Sequence, residues 1–184
     1  MNSDDSFELN RWLSGQAGRL KKVQSIIDSG GDVQNTTSEL EEIVRSYVET
    51  ANRGDISKIV YGFEETVFVA QEMLATAYEK LNRFDDALVL HRYVADTVQA
   101  LVRDRHRNKE SLKDVREKDI EHLSKTASFL VRFSRQSALQ GNIAAATQLL
   151  DEAARLFDAW HLNSKYPELK LMIDTQFDAI GRKK

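Results

Sequence analysis

"YEKLNRFDDALVLH" (residues 78–91) poses the choice on which the fold depends: one helical hairpin, or one unit of a helical repeat. An apolar stripe through Leu74, Tyr78 and Leu81 ends at the "NRFDD" corner, and Ala87, Leu88, His91, Val94, Val98 and Leu101 begin another at helical spacing. Helices joined by a short corner lie antiparallel. The stretch therefore predicts a two-helix hairpin, and the flanking sequence decides what that hairpin belongs to.

Upstream, Asp55 is the expected cap of the hairpin's first helix, which runs on through Ile56, Ile59, Val60, Phe63 and Val67 with Gly62 as its interruption. Before it, Leu40, Ile43, Val44, Tyr47, Val48 and Ala51 form the best-spaced stripe in the chain, stopped by Gly54. Its start is expected at a capping box, Thr36 with Glu39 or Ser38 with Glu41. Another capping box, Asp5 with Glu8, opens an expected helix over residues 6–28 bearing Leu9, Trp12, Leu13, Leu20, Val23 and Ile27; the polar "SGGDVQN" follows.

Downstream, "RDRHRNKESLKDVREKD" leads into a long helix ending near Gln140, where Gly141–Asn142 breaks the pattern. Ile143, Ala146, Leu150, Ala153, Phe157 and Trp160 mark the next helix. The last starts near Pro167, a residue suited to a first helical turn, and carries Leu169, Met172, Ile173, Phe177 and Ile180. No segment alternates with period two for long enough to predict a strand. The reading is all-α, about seven helices in antiparallel hairpins.

Composition agrees: 41% of the 184 residues are apolar and 30% charged, with a single proline. That length is expected to form one domain over residues 1–184, with 1–35 an N-terminal helix and linker, 36–162 the hairpins and 163–184 a capping helix. No run approaches the roughly 20 apolar residues of a membrane span, and "MNSDDSFEL" is too acidic for a presequence, so a cytoplasmic location is expected. The absence of cysteine excludes thiolate metal sites, disulfides and cysteine nucleophiles.

The hairpin around the opening stretch carries Leu74, Ala75, Tyr78, Phe84 and Ala87 in order, and Leu81 adds to a pattern that covers roughly residues 68–160. These residues resemble the signature of the tetratricopeptide repeat, where small residues let two helices approach closely and larger ones fill the gaps between hairpins. Phe133, Ser134, Gly141, Ile143, Ala146, Leu150 and Ala153 repeat the phase in the second hairpin, with Ser137 in the aromatic slot. Ala87 and Ala146 lie 59 residues apart, against about 34 in this family. The resemblance thus implies a short α-solenoid with elongated helices, or an insertion around residues 103–118.

The resemblance further implies a noncatalytic scaffold or adaptor that binds a peptide or protein surface in a groove lined by the first helix of each hairpin, as a subunit of a larger complex. Val69, Glu72, Thr76 and Glu79, with Ser128, Arg132 and Arg135, take the groove-facing positions. Of these, Glu72, Thr76, Glu79, Arg132 and Arg135 are the expected partner-binding residues. Arg132 and Arg135, three apart, share a helix face and suit a carboxylate or phosphate. The lysines and asparagines of a full carboxylate clamp are missing.

Residues 102–141 form the only net basic segment, at +4 from ten basic and six acidic residues, and Arg103, Arg105, Arg107 and Lys109 are its densest patch. The alternative reading is a regulatory bundle that binds a small ligand or nucleic acid through the basic region at 103–109 and 132–135. Interleaved Asp104, Glu110 and Asp114 and the acidic overall balance argue against nucleic acid. Asp119 and His122 share a face, but no second such pair accompanies them, so no metal or other cofactor is expected. No phosphate loop or catalytic constellation is found, and the chain is not expected to be an enzyme. His91 is expected to pack as an aromatic would. The apolar face around Trp12 suits docking on this domain, on a partner or on a second copy, so terminal helices offer a route to homo-oligomers.

Overall fold

The computed structural model describes residues 3–29, 31–52, 63–107 and 117–181, with the backbone alone at 3–10, 51–52, 64 and 105–107. These residues form seven α-helices, one short 3-10 turn and no strand: α1 (Ser3–Asp28), α2 (Val33–Asn52), α3 (Phe63–Lys80), α4 (Phe84–Arg107), α5 (Glu117–Leu139), α6 (Ile143–Ala159), the 3-10 turn Leu162–Ser164 and α7 (Pro167–Ala179). The all-α expectation holds among the described residues. No helix among the described residues is long and apolar enough to cross a membrane. The expected cap at Asp55, the stop at Gly54 and the interruption at Gly62 lie outside the described residues.

Two compact units divide the chain at Leu90 and His91, within α4. In the first, α2 packs against both α1 and α3. Its core is formed by Leu20, Val23 and Ile27 of α1, Leu40, Ile43 and Tyr47 of α2, and Phe63, Val67, Ala70 and Leu74 of α3, all buried. Tyr47 is its centre: Trp12 and Phe63 meet that ring edge-on at centroid distances of 5.4 and 5.9 Å. Helix α1 thus docks on its own chain. Arg19 spans to Glu39 and Glu42 of α2, and Lys80 Nζ donates to the Ile27 carbonyl at 2.9 Å, capping the end of α1.

The start of α2 differs from expectation. Asp32 caps it, accepting from the Asn35 backbone N–H at 3.1 Å, so the helix begins at Val33 and both expected boxes fall inside it. Thr36 and Thr37 are buried and turn their hydroxyls back to the carbonyls of Asp32 and Val33, each at 2.6 Å. Inside a helix a threonine hydroxyl can return to the carbonyl four residues back, so it stays satisfied when it is not the cap. Similarly, α1 starts at Ser3, which places Asp5 within the helix.

In the second unit α5 and α6 form a close antiparallel hairpin, on which α7 packs through both helices. Ser134, fully buried, donates to the Ala146 carbonyl at 2.7 Å, a bond that only a small residue at this crossing permits. His91 stacks on Phe129 at 4.3 Å with planes 21° apart, as an aromatic side chain would. Arg92 grips Glu152 of α6 through two hydrogen bonds of 3.0 and 2.6 Å. Pro167 opens α7 in its first turn, as expected, after His161 turns the chain in the left-handed region at φ 49°.

The corners at 81–83 and 140–142 have the same backbone geometry. At the first, Arg83 N–H donates to the Tyr78 carbonyl at 2.8 Å and Asn82 N–H to Glu79 at 3.0 Å; at the second, Asn142 donates to Ser137 at 2.9 Å and Gly141 to Ala138 at 3.0 Å. Both are Schellman stops, with Asn82 (φ 59°) and Gly141 (φ 82°) as the left-handed residues. The next helices start in the same register, through Ala87 N–H to Arg83 and Ala146 N–H to Asn142. Each pair of equivalent residues is 59 positions apart, and both alanines are fully buried.

Candidate functional site

The burial of α5 separates its faces. Leu123, Ala127, Leu130, Ser134 and Ser137 turn inward, which leaves Arg132 and Arg135 exposed on the opposite side. Helix α7 buries Leu169, Ile173 and Phe177, so Leu171, Met172 and Thr175 face outward, Leu171 at 69% exposure. Between these two outer faces lies an open groove of about 510 Å³, lined by Val131, Arg132 and Arg135 from α5 and by Leu171, Met172, Thr175, Gln176 and Ala179 from α7. The described residues of its lining include two guanidinium groups. Such a surface attracts an anionic group at one edge and covers apolar side chains along the other.

The structure thus brings Arg132 and Arg135 together on a concave surface. The remaining expected partner-binding residues belong to the first unit and share α3. Glu72 is buried, Glu79 half-buried and Thr76 exposed, with the Thr76 hydroxyl donating to the Glu72 carbonyl of its own helix at 2.9 Å. Of the other groove-facing positions, Val69 is exposed and Ser128 half-buried. In the expected basic patch, Arg103 is exposed near the end of α4; Arg105 and Arg107 are described by backbone alone, and Lys109 lies outside the described residues. Asp119 and His122 are buried in α5, and no group of three His, Asp or Glu side chains arranged for a metal ion occurs among the described residues.

The α7 wall was absent from the sequence reading of the groove, which assigned that helix to capping. Its signal is nevertheless present. Leu169, Leu171, Met172 and Ile173 put four apolar residues into five positions, more than one helix face can bury.

Comparison with known protein families, characterised proteins and solved structures finds no match to this chain.

Proposed function

We propose that this chain is a noncatalytic protein–protein interaction scaffold of tetratricopeptide-like architecture, working as an adaptor or fixed subunit in the cytoplasm. It binds a protein or peptide in the groove between α5 and α7. The observation that carries the reading is the pairing of exposed Arg132 and Arg135 with the exposed apolar wall of α7 across one groove. The repeated corner geometry, in step at 59 residues, supports the repeat architecture on which the groove reading depends. An arginine pair supplies charge-assisted, directional hydrogen bonds, while the apolar wall supplies burial.

Selection of a displayed random-peptide library against the purified full chain, followed by synthesis of the enriched sequences, tests this. Enriched peptides are expected to combine Asp or Glu with Leu, Ile, Phe or Met. Their affinity is expected to fall about tenfold in R132E/R135E, the scale of one lost charge-assisted contact. Peptides that bind the double variant as well as the original, or a selection without enrichment, remove the basis for this groove.

A further inference from the structure

We infer that the first half of α1, residues 3–14, is a hinged strap that lifts from Tyr47 and docks back on it while the rest of the first unit stays folded, with residues 15–18 as the hinge. Helix α1 is 26 residues long, and Gly15 and Gly18 fall within one turn near its middle. Both are exposed, and a Cβ added at either meets nothing within 4 Å, so packing among the described residues gives no reason for glycine at this turn. A helix-interior glycine is less favourable than alanine by about fivefold in an equilibrium. Ser14 precedes the first glycine, and serine–glycine pairs are among the few places where helices bend sharply.

The two halves of α1 are held differently. Beyond the hinge, Leu20, Val23 and Ile27 are buried, Arg19 reaches Glu39 at 3.3 Å and Glu42 at 3.0 Å, and Lys80 caps the helix end at Ile27. Gln16, buried between the glycines, accepts from Arg19 at 3.5 Å, which ties the hinge turn to that fixed half. Before the hinge, Trp12 and Leu13 are half-buried, and Trp12 meets the Tyr47 ring edge-on at 5.4 Å. Tyr47 itself is fully buried, and its hydroxyl has no hydrogen-bond partner among the described residues. A hydroxyl taken from water without a replacement bond opposes its own burial. Aromatic contact thus closes the strap, while the glycine turn and the dry hydroxyl act against closure. Hinges are a few residues that absorb a backbone change, and lifting Trp12 on this one opens an aromatic surface with a hydrogen-bonding group at its tip.

Hydrogen exchange of the full chain, followed by NMR over a series of urea concentrations below the unfolding transition, tests the inference. Amides of residues 9–14 are expected to exchange about tenfold or more faster than those of residues 20–28, at a rate that urea hardly changes, as a small local opening requires. G15A/G18A is expected to slow residues 9–14 by about tenfold or more and to leave residues 20–28 within about twofold of the original. W12A is expected to accelerate residues 9–14 by about tenfold while the amides of Leu40, Ile43 and Tyr47 stay within about twofold. Equal rates in the two halves of α1, or equal slowing of both by G15A/G18A, make α1 one rigid helix and overturn the inference. Exchange of residues 9–14 that W12A leaves unchanged shows that Trp12 does not hold the strap, and overturns it as well. So does a W12A acceleration that reaches Leu40, Ile43 and Tyr47 equally, since the unit then opens whole.

Discussion

The Tyr78 hydroxyl donates to Glu41 Oε1 at 2.8 Å, while the Arg83 guanidinium lies 4.1 Å from the ring centroid and reaches the same carboxylate at 3.4 Å. Tyr78 is thereby tied to the α2 helix, a contact that residue spacing alone does not contain. Burial, reinforced by the hydrogen bond to Glu41, pushes the phenol up to about 12. In the unfolded chain tyrosine titrates near 10, so between about pH 10 and 12 the folded state binds more protons than the unfolded one. The contribution is fully present below about pH 10 and is lost as pH rises through the folded value. Y78F is expected to cost about 1 kcal/mol at neutral pH and to flatten the alkaline decline, as read from urea midpoints at about pH 8 and pH 11. Parallel declines in the two proteins would show that Tyr78 contributes nothing to the alkaline loss. At this scale the arginines were legible, and of the opposite wall only its apolar excess was, not which of its residues stay exposed. Arg132 and Arg135 face the same way on any α-helix, whereas the exposure of Leu171 and Met172 depends on which side of α7 the α5–α6 hairpin covers.

The two corners show how much an element's ends owe to local chemistry. Gly141 adopts φ 82° and an added Cβ there meets nothing within 4 Å, so G141A introduces backbone strain without a clash. The left-handed region costs an ordinary residue about 1–2 kcal/mol, and G141A is expected to destabilise by about that amount. Asn82 occupies the equivalent position at φ 59°, and N82G is expected to be neutral or stabilising by up to about 1 kcal/mol. Urea denaturation of the two variants should move the midpoint in opposite directions, or leave it in place for N82G. A stabilising G141A would contradict the corner geometry. Both breaks were readable from sequence because asparagine and glycine are the residues that tolerate this conformation. The start of α2 was not, since Asp32, Thr36 and Ser38 are all competent caps and only the packing of α2 selects among them. The burial of Thr36 and Thr37 keeps both inside the helix and leaves Asp32 at its end.

The largest scale concerns whether the two compact units open independently. Each has its own buried set: Leu40, Ile43 and Tyr47 with their α1 and α3 partners in the first, Phe129, Leu130, Leu150 and Phe157 in the second. Length and composition predicted a single domain and hold no term that distinguishes one core from two, because the same periodic stripes build either. Cavity formation offers a probe. L40A empties a fully buried site and is expected to cost about 2–5 kcal/mol; F129A also removes the surface on which His91 stacks and is expected to cost about 3–5 kcal/mol. Native-state hydrogen exchange followed by mass spectrometry then reads where the cost falls. If the units open separately, L40A accelerates exchange in peptides from α1, α2 and α3, and F129A in peptides from α5, α6 and α7. Each variant then leaves the other set within about twofold of the original, well under the factor of ten that corresponds to about 1.4 kcal/mol. Acceleration that spreads equally over both sets after either substitution would instead make the chain one cooperative domain, with the groove coupled to every residue of the core.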